Sequence, residues 1–115
     1  MEINRFHVGK RLSEMAVHNG TIYLAGMVPA NGTGIKEQTA DVLAQIDKLL
    51  AEAGSDKSRI LMAQIYITDL ANFPGMNEVW DAWVVEGNTP PRATVVAQLA
   101  RPEWLLEIVV TAAQE

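Results

Sequence analysis

Cysteine is absent from the 115-residue sequence, and histidine occurs only twice, as His7 and His18. A chain without thiols forms no disulfide, no thiolate zinc site and no iron–sulfur cluster, and it has no cysteine nucleophile. Two histidines also provide little material for a metal site. We therefore expect a protein that binds no metal.

Positive charge is scarce as well. The sequence has 9 Lys and Arg residues against 14 Asp and Glu residues, which gives a formal net charge of −5 at pH 7. Nucleic-acid-binding proteins usually carry a basic patch, because neutralisation of phosphates dominates their affinity. The acidic composition therefore disfavours a nucleic-acid partner.

Long apolar runs are missing too. No stretch of about 18 apolar residues is present, so we expect no membrane-spanning segment and no membrane partner. Residues 1–20 carry charges throughout and contain no apolar run typical of a signal peptide. The expected location of the protein is the cytoplasm.

The composition that remains is typical of one globular domain. Apolar residues make up 49% of the sequence and charged residues 20%, which indicates a folded chain rather than a disordered one. The length lies within the roughly 100–150 residues of a common domain. Residues 1–115 are therefore predicted to form a single domain.

Turn signals and apolar periodicity divide the first half of the chain into a hairpin and a helix. Residues 12–28 are predicted to form the hairpin, because Asn19-Gly20 suits a tight turn in which both residues adopt positive φ. Apolar residues recur with helical spacing over 36–53, and Gly54 supplies the stop. The Gly-, Pro- and Asn-rich segment 29–35 is predicted to be a loop.

The second half adds another helix and three strands. Asn72 is the candidate N-cap of this helix, Pro74 is predicted to lie in its first turn, and Gly87 is predicted to end it. Trp80 and Trp83 lie on its apolar stripe and are predicted to pack in the core. The three strands are predicted at 60–68, 93–100 and 106–113. The order β-β-α-β-α-β-β predicts an α+β domain with two helices on one face of a mixed sheet.

The last strand is apolar on both of its faces. Val109 and Ala113 point one way, whereas Ile108, Val110 and Ala112 point the other. Strands of this kind need cover on both faces. Because two helices cover only one face, we expect the other face to pack against a second subunit.

Arg92 is the first candidate for chemistry. Pro90 and Pro91 precede it and fix the backbone in an extended course, so the guanidinium lies on a rigid support at the start of a strand. A guanidinium binds a carboxylate through two parallel hydrogen bonds. The sequence alone also allows a surface arginine in a salt bridge.

Glu107 is the second candidate. It is the only ionisable residue between Leu105 and Gln114, inside an otherwise apolar strand. Carboxylates are rarely buried without a partner, and one that lies in a pocket can orient or activate a water molecule. The alternative is a glutamate that faces solvent.

Short motifs along nearly the whole chain resemble the RidA family, also called YjgF and, in older usage, endoribonuclease L-PSP. The most specific of these motifs are Pro-Arg-Ala-Thr at 91–94 and Leu-Glu-Ile at 106–108. Other matches are Tyr-Leu-Ala-Gly at 23–26, Glu-Gln-Thr at 37–39, Ile-Thr-Asp-Leu at 67–70 and Phe-Pro-Gly-Met-Asn at 73–77. The segments 54–58 and 80–85 are similar to those of the short bacterial YoaB-like members.

The resemblance implies a fold, an assembly and an activity. The fold is a chorismate-mutase-like α+β domain that assembles as a homotrimer with ligand clefts between subunits. The activity is the hydrolysis of reactive 2-imino acids to 2-keto acids and ammonia, without a metal or an organic cofactor. The implied ligands are therefore small 2-imino and 2-keto carboxylic acids.

The resemblance also assigns roles to residues. Arg92 would clamp the substrate carboxylate, and Glu107 would orient the attacking water. The remaining positions expected to line the cleft are Asn77, Thr94, Gly26, Ala25 and Leu12. The family usually has a serine where this chain has Ala25 and a tyrosine where it has Leu12, so the pocket is expected to be less polar.

Two other functions are compatible with parts of this pattern. A non-catalytic trimeric binder of small carboxylate metabolites, or a regulatory interaction protein, would need Arg92 and not Glu107. A ribonuclease, as the older family name suggests, is disfavoured by the acidic composition and by the shortage of histidine.

Overall fold

Six strands form one sheet in the order β1-β2-β3-β6-β4-β5, and two helices lie on one of its faces. The computed structural model describes residues 2–115. The strands are β1 Asn4–Val8, β2 Ser13–His18, β3 Thr21–Leu24, β4 Ile60–Ile67, β5 Arg92–Val96 and β6 Leu106–Ala113. The helices are α1 Ile35–Glu52 and α2 Phe73–Trp83. Only β4 and β5 pair in parallel, so the sheet is mixed as predicted.

The local turn and helix signals are confirmed. Asn19 and Gly20 have φ values of 52° and 77°, as the tight turn between β2 and β3 requires. The Glu37 carboxylate accepts a hydrogen bond from the N–H of Gly34, the N-cap residue of α1, and so caps the start of the helix. Gly54, with φ 78°, follows the end of the helix in the left-handed region.

The core lies between the sheet and the helices. Alternate residues of β6 are buried against the helices: Leu106, Ile108, Val110 and Ala112. The apolar stripe of α1 packs on them, and each of its predicted members is buried: Val42, Leu43, Ile46, Leu49, Leu50 and Ala53. Because all of these side chains leave water together, the burial stabilises both helices on this face of the sheet.

The opposite face of the sheet carries apolar side chains that no described part of the chain covers. Tyr23 is 51% exposed, Met62 39% and Val95 46%. Val109 and Thr111 on β6 lie between these strands and are half-buried. We call this surface the open face. Its apolar content agrees with the expectation of a second subunit there.

The strand β1 was missed by the sequence analysis, so the predicted order β-β-α-β-α-β-β lacks its first strand. All residues of β1 are exposed except Phe6, which is half-buried. The strand therefore shows no contrast between a buried and an exposed face. It forms by pairing with the edge of β2, with Phe6 opposite Met15.

Two predicted boundaries in the second half of the chain were also wrong. The helix α2 ends at Trp83, because Val84 adopts an extended backbone and β-branched residues favour that conformation. Gly87, with φ 84°, belongs to the following turn instead. The strand β5 ends at Val96, four residues before the predicted end. None of the helices in the described chain has an apolar stretch long enough to cross a bilayer.

His7 links β1 to α1. Its ring hydrogen-bonds the Glu52 carboxylate at 2.7 Å, and Glu14 lies 4.0 Å from the other ring nitrogen. The hydrogen bond to Glu52 and its negative charge raise the pKa of His7 above the ordinary value of 6.5. His7 also has φ 56°, a left-handed conformation that is uncommon for a residue other than glycine.

We predict that His7 makes the stability of the protein depend on pH. A group whose pKa is raised in the folded state stabilises that state fully below its unfolded pKa, and this contribution disappears as the pH rises through the folded pKa. The melting temperature of the wild type should therefore fall more than that of His7→Gln as the pH rises from below 6.5 to above it. Thermal unfolding across this range measures the difference. His18→Gln, which replaces a histidine that forms no ion pair within residues 2–115, is the matched control. An unchanged slope in His7→Gln would contradict the prediction.

Candidate functional site

Glu107 lies beside a cleft that opens next to the sheet. Its position on β6 directs the side chain to the open face, opposite Tyr66 of β4. The carboxylate is half-buried and forms no ion pair with any residue of 2–115. The cleft has a volume of about 420 Å³, and its lining residues include Leu12, Glu14, Ala25, Gly26, Gln45, Trp104 and Glu107.

Gly26 is required for the position of the Glu107 carboxylate. A Cβ atom at residue 26 would lie 2.8 Å from Cδ of Glu107 and closer still to one carboxylate oxygen. The glycine therefore leaves the space that this carboxylate occupies. The backbone next to it is fixed, because Met27 and Ile108 exchange two backbone hydrogen bonds at 2.8 and 3.1 Å.

The cleft is mostly apolar around this carboxylate. Leu12 is 58% exposed at its rim, and Ala25 is half-buried. Trp104 is half-buried as well and forms part of the wall. Four of the predicted site residues, Leu12, Ala25, Gly26 and Glu107, therefore come together in one chain.

Arg92 lies elsewhere, at the start of the edge strand β5. The Pro91 carbonyl accepts a hydrogen bond of 3.0 Å from the Ala63 N–H, which attaches the proline pair to β4. Arg92 pairs with Ala63, whose side chain is buried on the helix face. Its guanidinium carbon lies 5.3 Å from the centre of the Trp80 ring. Arg92 therefore points to the helix side of the sheet.

Two buried polar atoms without partners lie on the same side. They are Oδ1 of Asn77 on α2 and Oγ1 of Thr94 on β5, and neither makes a hydrogen bond within residues 2–115. Buried polar atoms are costly when they remain unpaired. Asn77, Arg92 and Thr94 therefore form a second group of predicted site residues with unused hydrogen-bonding capacity.

The sheet separates the two groups. Arg92 is level with Ala63, which pairs with Val110, whereas Glu107 lies further along β6. The two positions are roughly 10 Å apart along the strands and roughly 10 Å apart across them, and their side chains leave the sheet on opposite faces. One chain alone does not bring Arg92 and Glu107 to the same ligand.

Some residues of these two regions were not among the predicted site residues. The sequence analysis did not single out Glu14, Gln45 or Trp104 as residues of the cleft. Trp80 is 5% exposed and was predicted to lie in the core, which is confirmed. Its contact with Arg92 has no signal in local sequence, because residues 80 and 92 meet only through packing of α2 against β5.

Within residues 2–115, no three His, Asp or Glu side chains come together as metal ligands.

Comparisons with known proteins agree with this fold over the whole chain. A family model described as Endoribonuclease L-PSP matches residues 2–114. A RutC family protein from Haemophilus ducreyi is 49% identical over 112 residues, which cover 96% of each chain. A crystal structure of a YjgF family member from Neisseria meningitidis has a TM-score of 0.99 and 56% identity and covers 100% of this chain and 97% of its own. The chain belongs to the RutC/YjgF family.

The predicted family is therefore confirmed, and so is the likeness to YoaB. The RutC family protein YoaB from Escherichia coli K12 is 44% identical over 113 residues, which cover 98% of this chain and 99% of YoaB. These RutC relatives have names that give a family and no reaction.

We predict that Gly26→Ala displaces the Glu107 carboxylate without unfolding the protein. The new methyl group overlaps the end of a flexible side chain, which can rotate away, so the melting temperature should fall by only a few degrees. A crystal structure of the variant measures the displacement. In a Glu107→Ala background, Gly26→Ala should cost less stability, because the overlap is gone. Equal costs in both backgrounds would contradict this account of Gly26.

Proposed function

We propose that this protein hydrolyses small 2-imino acids to 2-keto acids and ammonia, and that Arg92 and Glu107 from two neighbouring subunits form each site. The single observation that carries the proposal is a pair of opposite charges that have no ion-pair partner in the part of the chain that the structure describes. Arg92 and Glu107 are both half-buried, and neither forms an ion pair within residues 2–115. Half-buried charges of this kind are typical of sites that bind a charged ligand.

Arg92 binds the substrate carboxylate in this proposal. Its backbone is held by the proline pair and by the hydrogen bond from Ala63 to Pro91, so little freedom is lost on binding. The fork of the guanidinium matches a carboxylate through two hydrogen bonds. This contact fixes the imine carbon at a defined distance from the arginine.

Glu107 orients and activates the water molecule. It lies in the cleft with Gly26 on one side, and a carboxylate accepts hydrogen bonds but donates none. Water therefore turns an O–H toward Glu107 and a lone pair toward the imine carbon. As the new C–O bond forms, the proton of the water passes to Glu107, and the electron pair of the C=N bond moves to nitrogen.

The second half of the reaction releases ammonia. Glu107 returns its proton to the nitrogen, so the neutral intermediate carries a hydroxyl group and an amino group on the same carbon. As the C–N bond breaks and its electron pair stays on nitrogen, the hydroxyl proton passes through Glu107 to that nitrogen. Ammonia leaves, and the electron pair of the O–H bond forms the C=O bond of the keto acid. The substrates also hydrolyse without a catalyst, so positioning and one general base, worth about 10²–10⁴-fold, are sufficient.

The proposal requires an oligomer, and we propose a homotrimer with a ligand cleft at each subunit interface. Arg92 lies on the edge strand β5, whereas Glu107 lies two strands away on β6 with its side chain on the open face. A second copy that covers the open face can bring its Arg92 edge to the Glu107 cleft of the first copy. The exposed apolar residues Tyr23, Met62 and Val95 support an interface on this face.

We predict a trimer in solution. Light scattering after gel filtration should give about three times the chain mass of 12.6 kDa. Tyr23→Glu places a charge on the open face and should shift the protein toward monomers, because a charge is costly in an apolar interface. A wild-type monomer at micromolar concentration would contradict the proposed assembly.

We predict a division of roles between Arg92 and Glu107. Arg92→Lys keeps the charge but loses the planar fork, so it should weaken binding of 2-oxobutanoate strongly. Glu107→Gln keeps the shape but loses the base, so it should lower the rate of 2-iminobutanoate hydrolysis by about 10²-fold or more. The same variant should bind 2-oxobutanoate nearly as well as the wild type. Calorimetry and an assay with imine generated in the reaction measure the two effects.

Matched controls separate these effects from those that the same substitutions have elsewhere on the protein surface. Arg59→Lys and Glu86→Gln make the same changes at exposed positions and should leave both binding and rate unchanged. Wild-type hydrolysis by Glu107→Gln would exclude the role of this residue in activating water. A wild type that binds 2-oxobutanoate without accelerating imine hydrolysis would instead indicate a non-catalytic carboxylate binder.

A further inference from the structure

Two aromatic rings cover the guanidinium of Arg92. Its central carbon lies 5.3 Å from the centre of the Trp80 ring and 5.8 Å from the centre of the Phe73 ring. Both distances lie within the range of a cation–π interaction. Phe73, Asn77 and Trp80 follow one another at helical spacing on α2, so the two rings lie on one helix face about two turns apart, with Asn77 between them.

The Trp80 ring is itself fixed in place. It is buried, and its centre lies 5.4 Å from the ring centre of Trp83. The Trp83 indole N–H donates a hydrogen bond of 2.9 Å to the Asp47 carboxylate on α1. A continuous set of contacts therefore runs from α1 through two tryptophans to Arg92.

A cation held by ring faces differs from one held by a carboxylate. An ion pair would occupy the N–H groups of the guanidinium, whereas a ring attracts the positive charge through its face and accepts no conventional hydrogen bond. The N–H donors of Arg92 therefore stay available. At the same time, the rings restrict the side chain, which reduces the freedom lost when a ligand binds.

We infer that Trp80 and Phe73 are positioning residues, which hold the Arg92 guanidinium ready for a carboxylate ligand. The inference rests on the proposed role of Arg92 in binding carboxylates and does not depend on catalysis. The alternative is that both rings only fill the core between α2 and β5. The two roles predict different results when an aromatic ring is replaced by an aliphatic side chain. If the rings position Arg92, ligand binding weakens by more than the loss of stability explains. If they only fill the core, binding changes no more than in any variant of equal stability.

Three ring variants and one control distinguish the roles. Trp80→Leu and Phe73→Leu keep an apolar side chain but remove the ring, whereas Trp80→Phe keeps a ring. Met76→Ala is the control, because it removes buried volume from the same helix. The cation–π contacts of the guanidinium are with Phe73 and Trp80 instead. An NMR titration with 2-oxobutanoate measures the dissociation constant of each, and thermal unfolding measures its stability.

We expect the affinity for 2-oxobutanoate to depend on the presence of the aromatic ring and not on the melting temperature of the variant. Trp80→Leu and Phe73→Leu should weaken binding of 2-oxobutanoate by about 3- to 30-fold, as expected for loss of a cation–π contact. Trp80→Phe should recover most of the affinity, and Met76→Ala should bind like the wild type although it melts earlier. The Arg92 Nε–H resonance should also lose its ring-current shift in Trp80→Leu.

Other outcomes would overturn the inference. If affinity falls in parallel with melting temperature across all variants, including Met76→Ala, the rings have only a structural role. Phe73→Leu keeps the test valid if Trp80→Leu does not fold, because Phe73 is only half-buried. A wild type that does not bind 2-oxobutanoate would also overturn it. If imine hydrolysis is absent while ring-dependent binding remains, the catalytic proposal fails and this inference stands.

Discussion

The alternation of side chains along β6 is the constraint on which the rest of the molecule depends. Successive residues of a strand point to opposite faces, so burying Ile108 beneath the helices necessarily turns Glu107 toward the open face. Glu107 is thereby removed from the helix side, where Arg92 lies beside α2. Hydrophobic burial fixes this arrangement, since a one-residue shift of β6 would move its whole apolar set out of the core.

This constraint leaves charge and apolar surface unsatisfied in one chain. Within residues 2–115, the guanidinium of Arg92 has aromatic contacts but pairs with no carboxylate, and the Glu107 carboxylate pairs with no cation. The open face exposes Tyr23, Met62 and Val95. A second copy that covers the open face would exclude water from the apolar residues. If the same contact joins an Arg92 edge to a Glu107 cleft, association and site formation become one event. Assembly would then be a condition for binding rather than an addition to it.

Much of the fold could be predicted from the sequence because its signals are local. The Asn19-Gly20 turn, the apolar stripe of α1 and the bounds of β6 depend on neighbours within a few residues, and all are confirmed. The strand β1 could not be predicted, since pairing with β2 stabilises it rather than burial. The face of the sheet to which Arg92 points could not be predicted from the sequence either. Residues 92–96 of β5 show no alternation of burial, and the register with β4, which is distant in the chain, decides the orientation.

Activity of mixed trimers tests most directly whether each site combines Arg92 of one subunit with Glu107 of another. Arg92→Ala and Glu107→Gln chains with two different tags would be co-expressed, and trimers that carry both tags would be purified. In a ring of three head-to-tail interfaces, every mixed trimer contains one site with both native residues. The account predicts about a third of the wild-type rate of imine hydrolysis, although each parent is nearly inactive. No recovery above the parent variants would contradict it.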